Sequence, residues 1–425
     1  MSILAKQNKD NLAWPLIFLC WLLYSGSYLG KVNYSANITQ IIDFYRVTKT
    51  EAGAVPTFFF FAYGIGQVVN GILCKKYNIK WVLFFSLAIS SLINFIIAIS
   101  SEFAVIKWLW MINGFVMSML WPTLIRLLSE TLPQRDLGKS SIVMGTTVAT
   151  GTLVIYALSS LYALFDNFKL AFYTPAFVNG IIAVLWLVLY KPFVSMAKQG
   201  KKEEDMSVGA EEVKPQDTTQ KKAQKKLLYV SIYVLCFCAI GVNLVKDGLN
   251  TWVPSILKEE YGLSDSLSIL LTLFLPVVAI FGNMFALTCH NKMPDYVTHC
   301  FVIFAMMSAF IGMIIGSLEL KLVVLMLIGL IVVSFFAASL NSLITSIFPM
   351  FMRGKVNSGL YAGILNGFCY LGSTISSYGL GFIAERFQWI TVFYVLIGFC
   401  VAVAVVWCGY KLYKRHIYIK EIETV

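Results

Sequence analysis

Apolar runs near the length needed to cross a bilayer, roughly 20 residues, follow one another from Trp14 almost to the end of the chain. A soluble chain would carry about 25% charged residues. This one, of 425 residues, carries 13%, with 58% hydrophobic residues and a mean hydropathy of +0.76. The sequence therefore predicts an all-α, multi-pass membrane protein. The polar start, Met1 to Asn11, leads into a run that reads as a retained span rather than a cleaved signal.

The spans predicted are 12–44, 51–74, 80–100, 104–130, 138–165, 170–191, 226–257, 265–290, 296–317, 320–350, 356–384 and 388–414. Between the sixth and seventh lies a stretch of another kind, rich in Lys, Glu, Gln and Thr and without aromatic residues. It has nothing apolar to bury and reads as a disordered linker. The expected organisation is a six-helix bundle over 1–195, a cytoplasmic linker over 196–225 and a second six-helix bundle over 226–425.

Lysine and arginine set the orientation. With the amino terminus inside, the inner segments hold Lys6, Lys9, Lys75, Lys76, Lys80, Arg135, Lys139, the linker cluster, Lys292, Arg353, Lys355 and the basic tail. The outer segments hold Arg46, Lys49, Lys107, Lys169, Lys258, Lys321 and Arg386. This bias places both termini in the cytoplasm, with the plasma membrane as the expected location. The net charge of +11 sits largely in inner loops and the tail, so it predicts no nucleic-acid partner. Nine cysteines are scattered through apolar runs, and Cys236 and Cys238, two apart, point to different helix faces. Free, buried thiols are expected, with no disulfide framework and no metal site.

The halves repeat. The loops after the fourth and tenth spans share Pro-x-x-x-x-Gly-Lys, at Pro133, Gly138 and Lys139 and at Pro349, Gly354 and Lys355, an offset of 216 (349 − 133). Gly66 and Gly282 keep the same offset (282 − 66). Two related halves with a site between them are a transporter architecture.

Two lysines stand inside apolar runs, Lys31 in the first span and Lys246 in the seventh, 215 positions apart (246 − 31). An intramembrane charge is costly and faces a polar cavity or a partner. The pair reads as two cationic jaws holding one anion. Tyr24, Ser27, Tyr28 and Lys31 share a helix face, which Ser35 continues. The alternative for Lys31 is snorkelling to an interface, against which the span runs on through Ile38, Ile41 and Ile42. Asn243, Lys246 and Asn250 share a face of the seventh helix, with Asp247 beside them. The alternative there is a structural Lys246–Asp247 pair. A bound anion, or a carboxylate neighbour, keeps such a lysine protonated.

Tyr63, Gln67 and Asn70 on the second span, and Asn366, Tyr370, Ser373 and Ser377 on the eleventh, are candidates for the same cavity or for helix-to-helix adhesion. Gly359, Gly363 and Gly367 repeat every four residues and predict close helix packing. Arg126, after Trp121 and Pro122, is expected to gate or to form a structural pair. No phosphate-cradling Gly-rich loop marks an ATP motor, and no metal-ligand spacing or cofactor motif occurs. His290, His299 and His416 lie at loops or ends. Asp247 is the acid that stands out within the spans, so anion exchange is favoured over proton symport.

The segments YSGSYLGKVNY, AYGIGQ, MLWPTLIR, LVKDGLNTWVPSILKEEYGL and GFCYLGS, in this order, resemble the organophosphate:phosphate antiporter family of the major facilitator superfamily. The resemblance spans nearly the whole chain. It implies twelve transmembrane helices in two pseudo-symmetric bundles. It implies phosphate binding by Lys31 and Lys246, with Tyr24, Tyr28, Tyr63 and Tyr370 nearby. The chain departs from the family in having lysine where arginine is usual, Val148 where some members have histidine, and Cys-Lys-Lys at 74–76 in place of the second-loop acidic-basic signature. Arginine grips phosphate with a planar fork, whereas lysine is a point charge.

The expected function is secondary transport, not enzymatic catalysis. The cargo expected is a small organic anion, foremost a phosphorylated metabolite, exchanged for inorganic phosphate by a monomer in the bilayer. Substrate contacts are assigned to Lys31, Lys246, Tyr24, Tyr28, Tyr63, Gln67, Asn243, Asn366 and Tyr370, and gating or structural charge to Arg126 and Asp247. The alternatives are a proton- or ion-coupled carrier of carboxylates or sugar acids, and a transporter-like membrane sensor of sugar phosphate.

Overall fold

The computed structural model describes residues 12–73, 76–207, 222–290, 295–348 and 358–423. Every regular element among these residues is helical. The first span is α1 (Trp14–Ala36) plus α2 (Ile38–Tyr45), the second α3 (Lys49–Leu73) and the third α4 (Ile79–Ile99). The fourth is split into α5 (Phe103–Met117) and α6 (Leu120–Thr131), the fifth into α7 (Gln134–Gly145) and α8 (Thr147–Ala163), and the sixth is α9 (Leu170–Ser207). The seventh is α10 (Lys222–Tyr261), and the eighth is α11 (Asp265–Thr272) with α12 (Phe274–His290). The ninth is α13 (Tyr296–Leu320), and the tenth is α14 (Val323–Ser342) running into a π-turn at Leu343–Ile347. The last two are α15 (Ser358–Phe387) and α16 (Trp389–Glu423).

This is the expected all-α membrane fold of twelve spans, six before residues 208–221 and six after. Among the described residues eleven helices are long and apolar enough to cross a bilayer. The remaining span, α15, has the length, at 30 residues, but its serines, glycines and Asn366 lower its hydropathy. Large apolar side chains such as Phe18, Leu92, Phe177 and Val405 stay exposed, as an apolar solvent requires.

The spans break where side chains compete for the helix ladder. Asn37 Nδ2 donates to the Asn33 carbonyl at 2.8 Å and to Ser159 Oγ at 2.9 Å, and α1 ends there. Pro122 has no N–H, so the Ser118 carbonyl loses its helical partner. Gln67 Nε2 replaces it at 3.2 Å, while Asn70 Nδ2 donates to Ser118 Oγ at 2.8 Å. Pro175 orphans the Ala171 carbonyl in the same way, and Asn33 Nδ2 reaches it at 3.1 Å. Gln67 and Asn33 thus each repair a proline inside a membrane helix.

Contacts divide the chain into two compact units, residues 1–37 with 62–214 and residues 38–61 with 215–425. In the first, α9 packs against α4 and α1, and α1 against α8, around Trp110, Trp186, Tyr34 and Phe172. In the second, α10 packs against α15 and α16, and α14 against α12 and α13, around Trp252, Trp389, Phe304 and Phe393.

The repeat reappears inside each unit. A Cβ on Gly66 would stand 2.1 Å from Ser118 Oγ, and one on Gly282 2.3 Å from the Phe335 carbonyl oxygen. The second span crosses the fourth, and the eighth crosses the tenth, at a glycine that only a missing side chain permits. The Gly363 and Gly367 expectation is corrected, since a Cβ on either would meet nothing within 4 Å among the described residues, and Gly359 lies outside the described side chains. The close approach of α15 to α10 is at Gly372, whose Cβ would lie 2.1 Å from the Ile240 carbonyl oxygen. Helical spacing shows that these glycines share a face, not that another helix covers it.

The linker expectation also changes at its edges. Helix α9 runs on to Ser207 and α10 starts at Lys222. Ala, Lys, Gln and Glu, which fill these edges, are strong helix formers, so a polar composition need not end a helix. The rest of the linker, and the second copy of the loop motif at Pro349, Gly354 and Lys355, lie outside the described residues. Of the seven cysteines whose side chains are described, all free, Cys408 is exposed and six are buried.

Candidate functional site

In the first unit, α1 presents Tyr24, Tyr28 and Lys31 on one face. The Lys31 ammonium lies 4.8 Å from the Tyr28 ring centroid and 4.1 Å from that of Tyr63 on α3. An ammonium over two aromatic faces is held by their quadrupoles. Tyr63 is buried, and Tyr28 and Lys31 are half-buried. Tyr24, also buried, meets Tyr28 edge-on with centroids 5.5 Å apart and leans on Trp121 at 4.9 Å. The result is an aromatic enclosure around one cation. Ser27 turns inward, its hydroxyl donating to the Tyr24 carbonyl at 2.6 Å. Gln67 spends an amide proton on the carbonyl freed by Pro122.

In the second unit, Lys246 Nζ lies 3.2 Å from Asp247 Oδ1, with side chains 29% and 13% exposed. The other carboxylate oxygen of Asp247 accepts from Ser373 Oγ on α15. Asn243 Nδ2 donates to Asn341 Oδ1 at 3.2 Å, and the Cys369 thiol approaches the same oxygen at 3.8 Å. Tyr370 stacks on Phe60 with centroids 6.4 Å apart, and Asn366 is half-buried one turn earlier on α15. Lys246 thus has both a carboxylate neighbour and partial exposure, which leaves its ammonium able to meet a solute.

Arg126, half-buried on α6, donates through Nε to Glu130 Oε1 at 2.6 Å and through a terminal nitrogen to the Tyr77 carbonyl at 3.3 Å. Asn341 and Cys369 escaped sequence reasoning. The signal for Asn341 was a lone amide in the most hydropathic span, next to the π-turn.

A second group missed in the sequence is ionic. Lys258 Nζ bonds Asp43 at 2.7 Å and Asp265 at 2.9 Å. Lys49 pairs with Glu259, and the Glu259 carboxylate also accepts from the Trp389 indole at 2.9 Å. Glu385 accepts from the backbone and hydroxyl of Thr50. These contacts fix residues 38–61 to α10, α11, α15 and α16 within the second unit. Asp43 and Lys258 are 215 positions apart (258 − 43), so the two halves carry opposite charges at equivalent places.

The chain is similar to known membrane proteins. A family model, Major Facilitator Superfamily, matches residues 20–362. The membrane sensor protein UhpC of Escherichia coli is 21% identical over 252 residues, 58% of this chain and 57% of that protein. The glycerol-3-phosphate transporter of Bacillus subtilis is 22% identical over 395 residues, covering 89% of this chain and 87% of that one. Among solved structures, the nucleoside transporter NupG superposes with a TM-score of 0.66 at 16% identity, over 94% of this chain and 99% of that one.

Proposed function

The chain belongs to the Major Facilitator Superfamily, and from that premise we propose that it moves a small organic anion, foremost a phosphorylated metabolite, by alternating access in exchange for inorganic phosphate. It is a membrane transporter rather than an enzyme. One observation carries the anion reading. A lysine in each half, at equivalent positions, sits in a membrane span, and the first is enclosed by tyrosines that supply both aromatic walls and hydroxyls. In this reading Lys31 and Lys246 bind the same anion, Tyr24, Tyr28, Tyr63 and Tyr370 line its path, and Asn243 and Asn366 contact its polar body. Asp247 pairs with Lys246 between turnovers and Arg126 braces the end of α6. Gln67 acts through the fourth span rather than on the cargo. The six-helix halves, 1–195 and 226–425, work as a monomer in the plasma membrane, with both termini and the linker cytoplasmic.

Likeness to glycerol-3-phosphate and sugar-phosphate transport proteins supports phosphorylated cargo. Likeness to UhpC supports a second reading, a sensor that binds a sugar phosphate without carrying it. Counterflow in proteoliposomes separates the two. Vesicles loaded with inorganic phosphate should accumulate labelled phosphate, and a competing organophosphate should suppress it. Binding without counterflow would establish the sensor. Uptake that changes the external pH would replace exchange with proton coupling.

A further inference from the structure

We infer that the second unit carries a separate anion site at the end where α16 finishes, shaped for the phosphate-bearing headgroup of an anionic lipid. A cavity of about 240 Å³ opens there among α10, α13, α14 and α16. Its polar wall is Ser231, Asp295, Tyr410 and Lys414, and its apolar wall includes Tyr296 and Phe348. The Ser231 hydroxyl donates to the Leu227 carbonyl at 2.9 Å and lies 3.2 Å from the Tyr410 hydroxyl, so the two oxygens form one polar patch on the wall. Lys414 and Lys411 reach the same Asp295 oxygen, at 3.0 and 3.5 Å. Two ammoniums on one carboxylate leave a net positive charge beside the hydroxyls.

Depth points to a lipid rather than a cytosolic solute. Four candidate spans have an end here, at Leu227, Tyr296, Ile347 and Ile417. The wall residues Ser231, Tyr296, Phe348 and Lys414 each lie within four positions of one of those ends, the level of the headgroups. Trp407 stacks on Phe301 with centroids 4.1 Å apart, and its indole donates to Thr298 Oγ1 at 3.2 Å. An aromatic ring with one polar edge satisfied is the usual occupant of a membrane interface. In sequence the same end adds Arg415 beside Lys414 on α16. Basic residues clustered just outside a span attract anionic lipid, and a basic recess between helices takes its headgroup.

The purified full chain in neutral detergent, titrated with phosphatidylglycerol or phosphatidylcholine of matched chains and read by native mass spectrometry, tests this. Phosphatidylglycerol should be retained preferentially. Lys414→Gln alone should weaken retention roughly fivefold, and Lys411→Gln with Lys414→Gln roughly thirtyfold, while arginine at both positions keeps it. Asp295→Asn preserves the helix cap and should leave retention equal or tighter. If it weakened retention as much as the lysine changes, the lysines would be mere partners of Asp295 and the inference would fall. Equal retention by the wild type and the glutamine pair would also overturn it. Displacement of the lipid by excess inorganic phosphate would reassign the site to a soluble phosphate compound. Should the glutamine pair not fold, the single Lys414 variant gives the same decision.

Discussion

The pair Lys246–Asp247 admits two roles, and substitution separates them. At 3.2 Å and an effective dielectric near 20, the attraction is about 5 kcal/mol. Both side chains are mostly removed from water, so desolvation cancels much of this and about 1.5–3 kcal/mol of charge-assisted bonding remains. Either Lys246→Gln or Asp247→Asn should therefore lower stability by about that amount. In the double variant two neutral amides replace two charges, and stability should return close to wild type. Transport should not follow the same pattern. If Lys246 holds the cargo, Lys246→Gln loses roughly ten- to hundredfold in apparent affinity, and the double variant stays as poor. Asp247→Asn, by removing a competing anion, should raise affinity. The measurements are phosphate counterflow against a panel of organic anions, and thermal unfolding of the same preparations. A double variant that regained wild-type affinity would refute the argument, because Lys246 would then serve Asp247 alone.

Four further outcomes are expected. Tyr63→Leu should weaken anion affinity about five- to thirtyfold by removing the ring under Lys31, whereas Tyr63→Phe keeps most of it; a calorimetric titration reads both. In the ionic group, Lys258→Gln should destabilise the protein more than Asp43→Asn, since Asp43 is the more exposed partner and worth about 1 kcal/mol or less; thermal unfolding checks the order. Burial raises the Asp295 carboxyl, but Lys414 and the Thr298 N–H outweigh it and hold it below its ordinary value. Its stabilising contribution is thus present above about pH 4 and is lost as pH falls through the depressed value, so Asp295→Asn should flatten the acid limb of an unfolding titration. A reporter fused at Lys201 or at Val425 should give a cytoplasmic signal; an external signal at either place overturns the orientation.

The spans were legible because a bilayer imposes length and hydropathy on sequence directly. Their interruptions were not. Pro122 and Gln67 were both visible, but that the amide of one replaces the proton missing from the other depends on which helices cross. Gly363 and Gly367 show the same limit, because periodicity identifies a face and not its neighbour. Lys31 could be singled out as an ion in an apolar run, and Tyr28 and Tyr63 by helical spacing and resemblance. Of the Asp43–Lys258–Asp265 group only Lys258 was read, as loop charge for orientation. Its pairing is a tertiary fact, although the sign inversion across the 215-residue offset was already written in the sequence.

Residues 38–61 belong to the second compact unit while their flanks belong to the first. The polypeptide therefore passes from one unit to the other three times, at 37/38, at 61/62 and at 214/215. A cut in the linker removes one covalent tie and leaves two. Halves expressed as separate polypeptides on either side of it should still find each other, guided by a piece of the first already shaped to the second. Gene fusions face the converse problem. A chimera spliced at the linker would press one parent's Asp43 and Lys49 onto the other parent's equivalents of Lys258 and Glu259, and a mismatch of sign there would defeat a graft whose every helix was sound.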